Sequence, residues 1–207
     1  MRHSFKRKVV DVMLTGGRSA RLLYDKTNFF KHLFAEAQSC NIYFTDERCV
    51  EPNHNDSNAA MLSASLCGND AFNYSIYRMK GEAFELNDAA IKYSELLPNK
   101  LDFILLSMGE DGHIASLFPD SSALFDTERK VVPVIAPKAP FQRLTITPQV
   151  IKSAKQVYVL ALGDEKKLKY EEALLDPDDI SSIPARLVLD RTWIFDLDEE
   201  IDLCPKL

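Results

Sequence analysis

Hydrophobic and polar positions along this chain follow two periods. Short apolar runs of strand length alternate with stretches in which apolar residues recur at helical spacing. Val9 to Leu14 predicts a first strand, ending at Thr15-Gly16-Gly17. Ser19 to Gln38 is helical in pattern, with a break expected near Lys26-Thr27-Asn28, where Thr or Asn can cap a second helix. Asn41 to Phe44 predicts a second strand running into Asp46-Glu47-Arg48. Ser57 to Leu66 predicts a helix, Tyr74 to Met79 a strand, and Asn87 to Leu97 a helix stopped by Pro98. Leu101 to Ser107 (LDFILLS) carries the strongest strand signal, the continuous apolar run of a strand covered on both faces. Strands are then expected over Val131 to Ile135, Arg143 to Thr147 and Val157 to Leu162, a helix over Glu165 to Leu175, and two short strand-like pieces between Arg186 and Asp196.

This alternation predicts an α/β fold: three-layer and Rossmann-like, with a mainly parallel sheet and helices on both faces. The 207 residues show no repeat, low-complexity tract or linker, which predicts a single α/β domain over residues 1–207. Ligands of such folds bind outside the carboxyl ends of the strands. Three polar motifs fall at those ends, which predicts one shared site.

The first is Thr15-Gly16-Gly17-Arg18-Ser19. A glycine pair between strand and helix lets backbone N–H groups approach an anion, with Thr15 and Ser19 adding hydroxyls; a plain tight turn with a Ser cap reads the same way. It is not a Walker loop, because no Lys-Ser or Lys-Thr follows its last glycine. The second is Asp46-Glu47-Arg48, which is either a cluster of ligand contacts or a solvated turn. The third, Gly109-Glu110-Asp111-Gly112-His113, makes a sharp turn directly after the most apolar strand. Histidine titrates near neutral pH and suits proton abstraction from water. His3, His32 and His54 lack such surroundings and read as ordinary surface or partly packed residues. Arg143 opens a strand, and Lys138 lies in a Pro-flanked loop able to close over a ligand. Lys166 sits in a first helical turn, against the helix dipole, which points to a nearby anion or to a solvated side chain.

Composition changes this picture mainly by exclusion. Hydrophobic residues make up 46% and charged residues 27%, an ordinary globular balance. The net charge of −6 argues against a nucleic-acid partner, which needs a basic face, but allows a local cationic pocket for a small anion. Cys40, Cys49, Cys67 and Cys204 form no CxxC pair or Cys/His cluster, so no metal site is expected and the thiols are expected to be free. No G-x-G-x-x-G fingerprint follows the first strand, so no cofactor is expected. The basic N-terminus lacks a cleavage signal and no run reaches membrane-spanning length; a cytoplasmic protein is expected, a monomer or weak homodimer without membrane partners.

Four segments carry a resemblance. LTGGRSARLLY, IYFTDERCVEPNHNDSNAAML, LDFILLSMGEDGHIASLFPDSSAL and RLTITPQVIKSAKQVYVLALGDEKK resemble, in order, signature segments of 6-phosphogluconolactonases, from about residue 9 to 197. The first loop departs from the family's Ser-Gly-Gly-x-Thr-Pro by losing the proline while keeping both hydroxyls. Asp120 stands where the family commonly has Gly, and there is little room for the helix that normally precedes the first strand. The resemblance implies hydrolysis of 6-phospho-D-glucono-1,5-lactone, a step of the oxidative pentose phosphate pathway, without metal or cofactor. It implies His113 as the base toward water, Asp111 as its orienting group, and Arg48 facing the oxyanion or the sugar hydroxyls. Thr15, Gly16, Gly17, Ser19, Asp46, Lys138, Arg143 and Lys166 would hold the sugar phosphate. Two alternatives accompany it. Glucosamine-6-phosphate deaminases share the fold, but carry Glu where this chain has Phe118 and usually Tyr where it has Arg48. A non-catalytic sugar-phosphate sensor would not need His113 with Asp111.

Overall fold

The computed structural model describes residues 9–26, 29–35, 37–67 and 72–197. The expected cap at Thr27 or Asn28, His3 and Cys204 lie outside them. In chain order the elements are β1 (Val10–Leu14), α1 (Arg18–Lys26), α2 (Phe29–Ala35), β2 (Cys40–Phe44), β3 (Asp46–Arg48), α3 (Asn58–Leu66), β4 (Tyr74–Ile76) and α4 (Leu86–Leu96). They continue with β5 (Phe103–Ser107), β6 (Val131–Ile135), β7 (Gln142–Ile146), α5 (Pro148–Ser153), β8 (Gln156–Leu160), α6 (Asp164–Leu175) and β9 (Thr192–Ile194).

Six strands form a sheet in the order β4-β2-β1-β5-β8-β9, with every neighbouring pair parallel. The period-2 geometry of a strand sorts its side chains into two cores. From β1, Val10, Val12 and Leu14 point to one side, and from β5 so do Phe103 and Leu105, packing against α1, α2 and α3 through residues such as Leu23, Phe30 and Leu62. Met13, Ile104 and Leu106 point to the other side and meet Tyr93 of α4, Ile151 of α5 and Ala173 of α6. Two-sided burial is why LDFILLS is apolar throughout, and the expected α/β architecture with helices on both faces is present. The helix boundaries have local causes: the Ser57 side chain accepts from Ala60 N at the start of α3, and Pro148 opens α5.

One expectation needs correction, and one open alternative falls away. Of the two strand-like pieces expected between Arg186 and Asp196, only Thr192–Ile194 is a strand; Pro184–Val188 is a 3₁₀ turn. Pro184 at its start fixes a helical φ, and the Arg186 side chain ties the turn to the end of α6 and the loop after it by donating to the carbonyls of Ala173 and Asp179. The segment 46–48, whose three charges also fit a solvated turn, is a strand. It pairs antiparallel with β7 in a second, three-stranded sheet of order β3-β7-β6. That sheet shares the core of α4 and α5 through Val131, Val132, Leu144 and Ile146.

Candidate active site

The strand order reverses between β1 and β5, the position at which open α/β sheets form a crevice. The loop after β1 and the loop after β5 face each other there. In the first loop Gly17 has φ 90°, a left-handed value that glycine adopts freely, and α1 begins immediately after it. A Cβ on Gly16 would lie 1.8 Å from Asn58 Oδ1, so the loop is packed directly on that side chain. Asn58 is held in turn: its Nδ2 donates to the Asp46 carbonyl at 2.9 Å and to Asp46 Oδ1 at 3.3 Å.

The second loop makes a tight turn in which Gly109 N donates to the His113 carbonyl at 2.9 Å. A Cβ on Gly109 would stand 2.1 Å from His113 Cε1; glycine is what lets the imidazole lie over the turn. His113 Nδ1 contacts Asp111 Oδ1, and His113 N donates to the same oxygen at 3.3 Å. Burial works against the Asp111 anion, but the hydrogen bond and charge of His113 outweigh it and hold the carboxyl down at about 2. An ionised carboxylate only accepts, so Nδ1 carries a proton, and in the neutral form of the ring the lone pair lies on Nε2. Ala115, with φ 52°, bends the chain back so that Phe118 packs on His113, ring centroids 4.7 Å apart. Asp120 has φ 58°, a conformation Asp tolerates better than most residues.

The small sheet contributes two of the cations. Arg48 and Arg143 are direct register partners across β3 and β7. Like charges in that position repel, so an anion between them would be stabilising. Arg143 is 3% exposed, donates from Nε to the Pro140 carbonyl at 3.1 Å, and lies 5.4 Å from the centre of the Phe118 ring. Burial first, then the Arg48 charge, pushes its pKa below the usual guanidinium value. Arg48 donates from Nη1 to the Asp56 carbonyl at 2.8 Å, while its buried Nε has no partner among the described residues. Lys166 Nζ donates to Ser19 Oγ at 2.9 Å. Burial lowers the Lys166 pKa, Glu110 opposes that, and Arg18 and Lys138 add to it. Among the described residues, none of Arg48, Arg143, Lys138 and Lys166 forms an ion pair.

These groups enclose a cleft of about 140 Å³. Thr15, Gly16, Gly17, Ser19, Asp46, Arg48, His113, Lys138, Arg143 and Lys166, all picked out in the sequence, line it together. Asp111 stands behind His113 and faces a neighbouring groove of about 980 Å³ instead. The Asp46 carboxylate is already engaged, accepting from Ser116 Oγ at 2.6 Å and Thr45 Oγ1 at 3.1 Å, so it supports the cleft wall. Sequence reasoning did not single out Asn58, Ser116, Glu110 or Phe118 as site residues. It also left Glu47 without a role. Glu47 is buried and accepts from the backbone N–H of Arg48 (2.8 Å), Asn58 (2.7 Å) and Ala59 (2.8 Å), tying β3 to the start of α3. Its burial raises its pKa against those three N–H groups, which lower it. Among the described residues no three His, Cys, Asp or Glu side chains gather as a metal site, and no helix is long and apolar enough to cross a membrane.

This geometry joins an imidazole whose Nδ1 is held by a carboxylate to a group of cations that form no ion pair among the described residues. Such a cleft fits an anionic substrate with a carbon centre open to attack by water. Residues 2–195 match the profile of the family described as glucosamine-6-phosphate isomerases/6-phosphogluconolactonase. A 6-phosphogluconolactonase of Borreliella burgdorferi is 34% identical over 193 residues, covering 88% of this chain and 80% of the relative. A 6-phosphogluconolactonase of Pseudomonas putida is 32% identical over 188 residues, covering 86% of this chain and 75% of the relative. The crystal structure of a 6-phosphogluconolactonase from Shewanella baltica superposes with a TM-score of 0.74 at 25% identity, over 90% of this chain and 82% of that one.

Proposed function

The chain belongs to the glucosamine-6-phosphate isomerase/6-phosphogluconolactonase family, and from that premise we propose that it hydrolyses 6-phospho-D-glucono-1,5-lactone to 6-phosphogluconate, in the oxidative pentose phosphate pathway. The observation that carries this reading is His113, backed by Asp111, in one cleft with cations that form no ion pair among the described residues. A phosphate dianion at Ser19, Lys166, Lys138 and Arg143 offsets their mutual repulsion and sets the lactone ring toward His113. Arg suits two-pronged contact with phosphate oxygens and Lys acts as a point charge.

His113 Nε2 takes a proton from water as its oxygen bonds to the lactone carbonyl carbon. Negative charge builds on the former carbonyl oxygen, where the Arg48 guanidinium stabilises it. When the tetrahedral centre collapses, the bond from that carbon to the ring oxygen breaks, and His113 returns the proton to that oxygen. The products are a free hydroxyl and a carboxylic acid that ionises in water. Asp111 stabilises the imidazolium formed between these steps and fixes the ring's tautomer. A lactone is electrophilic enough for the fixed guanidinium to supply the charge a metal would bring. The isomerase chemistry of the same family is disfavoured by Phe118, which carries no transferable proton and is packed against both His113 and Arg143.

The test is lactone disappearance at controlled pH, corrected for spontaneous hydrolysis, after exhaustive EDTA dialysis and without nucleotide. Full activity is expected. A loss of more than tenfold, restored by one divalent metal, would overturn the metal-free scheme, and no acceleration over the blank would overturn the activity.

A further inference from the structure

One side chain touches both halves of this site. Phe118 is 3% exposed, its ring lies against the His113 imidazole, and the Arg143 guanidinium sits over the same ring. It also lines the 980 Å³ groove, whereas His113 and Arg143 line the 140 Å³ cleft, so the ring is part of the wall between the two spaces. The chain is bent to bring it there: Ala115 holds φ 52°, a conformation costly for a residue with a Cβ. Turn bonds from Leu117 N to the Ile114 carbonyl (2.9 Å) and from Ser121 N to the Phe118 carbonyl (3.1 Å) hold the bend.

We infer that Phe118 is a positioning residue that sets the base and the phosphate-binding guanidinium relative to each other through one aromatic ring; this rests on the lactonase reading above. Backbone pairing with Arg48 fixes where Arg143 starts, but among the described residues its head is hydrogen-bonded only to the Pro140 carbonyl. Something must hold that head without neutralising it. A carboxylate would hold it and cancel the charge the phosphate needs. An aromatic face attracts a cation through its quadrupole and leaves the net charge intact, more strongly where water is excluded. The same ring packs on the imidazole, so displacement of the ring moves both groups together. Phosphate affinity and proton transfer are therefore coupled at position 118.

The experiment replaces Phe118 by phenylalanine with one, two and more ring fluorines, which keeps its bulk while withdrawing charge from its face, and separately by Leu. KM for the phosphorylated lactone, the dissociation constant of 6-phosphogluconate by calorimetry, and kcat are measured on each folded protein. KM and the dissociation constant are expected to climb stepwise with fluorine content. Phe118→Leu is expected to raise both about tenfold and to lower kcat several-fold as well. If KM and product binding stay flat across the fluorine series, or if Phe118→Leu lowers kcat alone, the inference is overturned while the lactonase reading stands. Wild-type protein without catalysed hydrolysis would overturn that reading and the inference with it.

Discussion

The two edges of the parallel sheet carry polar clusters of similar size and opposite character. At the amino-terminal edge, Asp102 Oδ1 pairs with Lys155 at 2.6 Å, Asp102 Oδ2 accepts from Asp11 N at 3.0 Å, and Asn41 Nδ2 donates to Asp11 Oδ1 at 2.9 Å. Its charges are answered by one another and by the backbone. At the carboxyl edge, Arg48 faces Arg143 and Lys166 leans on a neutral hydroxyl. Four cations there lack ion-pair partners among the described residues. A closed cluster contributes to folding; an open one stores affinity for something absent from the chain. The comparison separates residues that hold the fold from residues that wait for a ligand, although both are charged and partly buried.

Substitutions at the two edges should therefore have different readouts. The largest effect is expected at the open edge: His113→Ala lowers kcat about 10²–10⁴-fold with the fold intact, and a residual rate within threefold of wild type would remove His113 as the base. Next, Arg143→Ala is expected to raise KM for the phosphorylated lactone by about one to two orders of magnitude, from losing a contact worth about 1.5–3 kcal/mol. Kinetics on the unphosphorylated lactone provide the control. At the closed edge the split reverses. Asp102→Asn is expected to cost about 1–3 kcal/mol of stability by denaturant titration with KM and kcat unchanged, and a shift in KM would erase the distinction between the edges. The smallest effect is a pH dependence. Asp111 is held at about 2, below the usual 3.8, so its contribution to stability is complete above the ordinary value and is lost as pH falls toward 2. Asp111→Asn lacks that contribution, so its melting temperature is expected to fall less steeply than that of wild type from pH 4 to pH 2.

How much of this was legible in the sequence depended on range. β5 announced itself because two-sided burial makes a run like LDFILLS apolar at every position. The loops after β1 and β5 were readable because glycine pairs mark them, and strand order alone brings those loops together. The three-stranded sheet was not readable. Asp46, Glu47 and Arg48 show no apolar alternation, since Glu47 is buried by satisfying the N-terminus of α3 rather than by apolar packing, and the partner strand lies about a hundred residues away. Asn58 and Ser116 were missed for the same reason: their hydrogen bonds to Asp46 exist only once β3 is in place. Phe118 enters the sequence reading only as the residue that stands where the deaminases carry Glu; nothing in its spacing says that its ring touches the base. The segment 184–188 misled because Leu187-Val188-Leu189 resembles a short strand, while Pro184 had already committed the backbone to a turn.

The account's central claim is that the cations at the carboxyl edge that form no ion pair among the described residues are a phosphate site serving His113. It is tested most directly by the ratio of kcat/KM for phosphorylated over unphosphorylated gluconolactone, measured on wild type and on Arg143→Ala. With the charge-assisted contacts of Arg143 and Lys166 alone, each worth about 1.5–3 kcal/mol, the wild-type ratio is expected to reach at least the order of 10²–10⁴ and to drop at least tenfold in the variant. A wild-type ratio near one, or a ratio unchanged by Arg143→Ala, would contradict the claim.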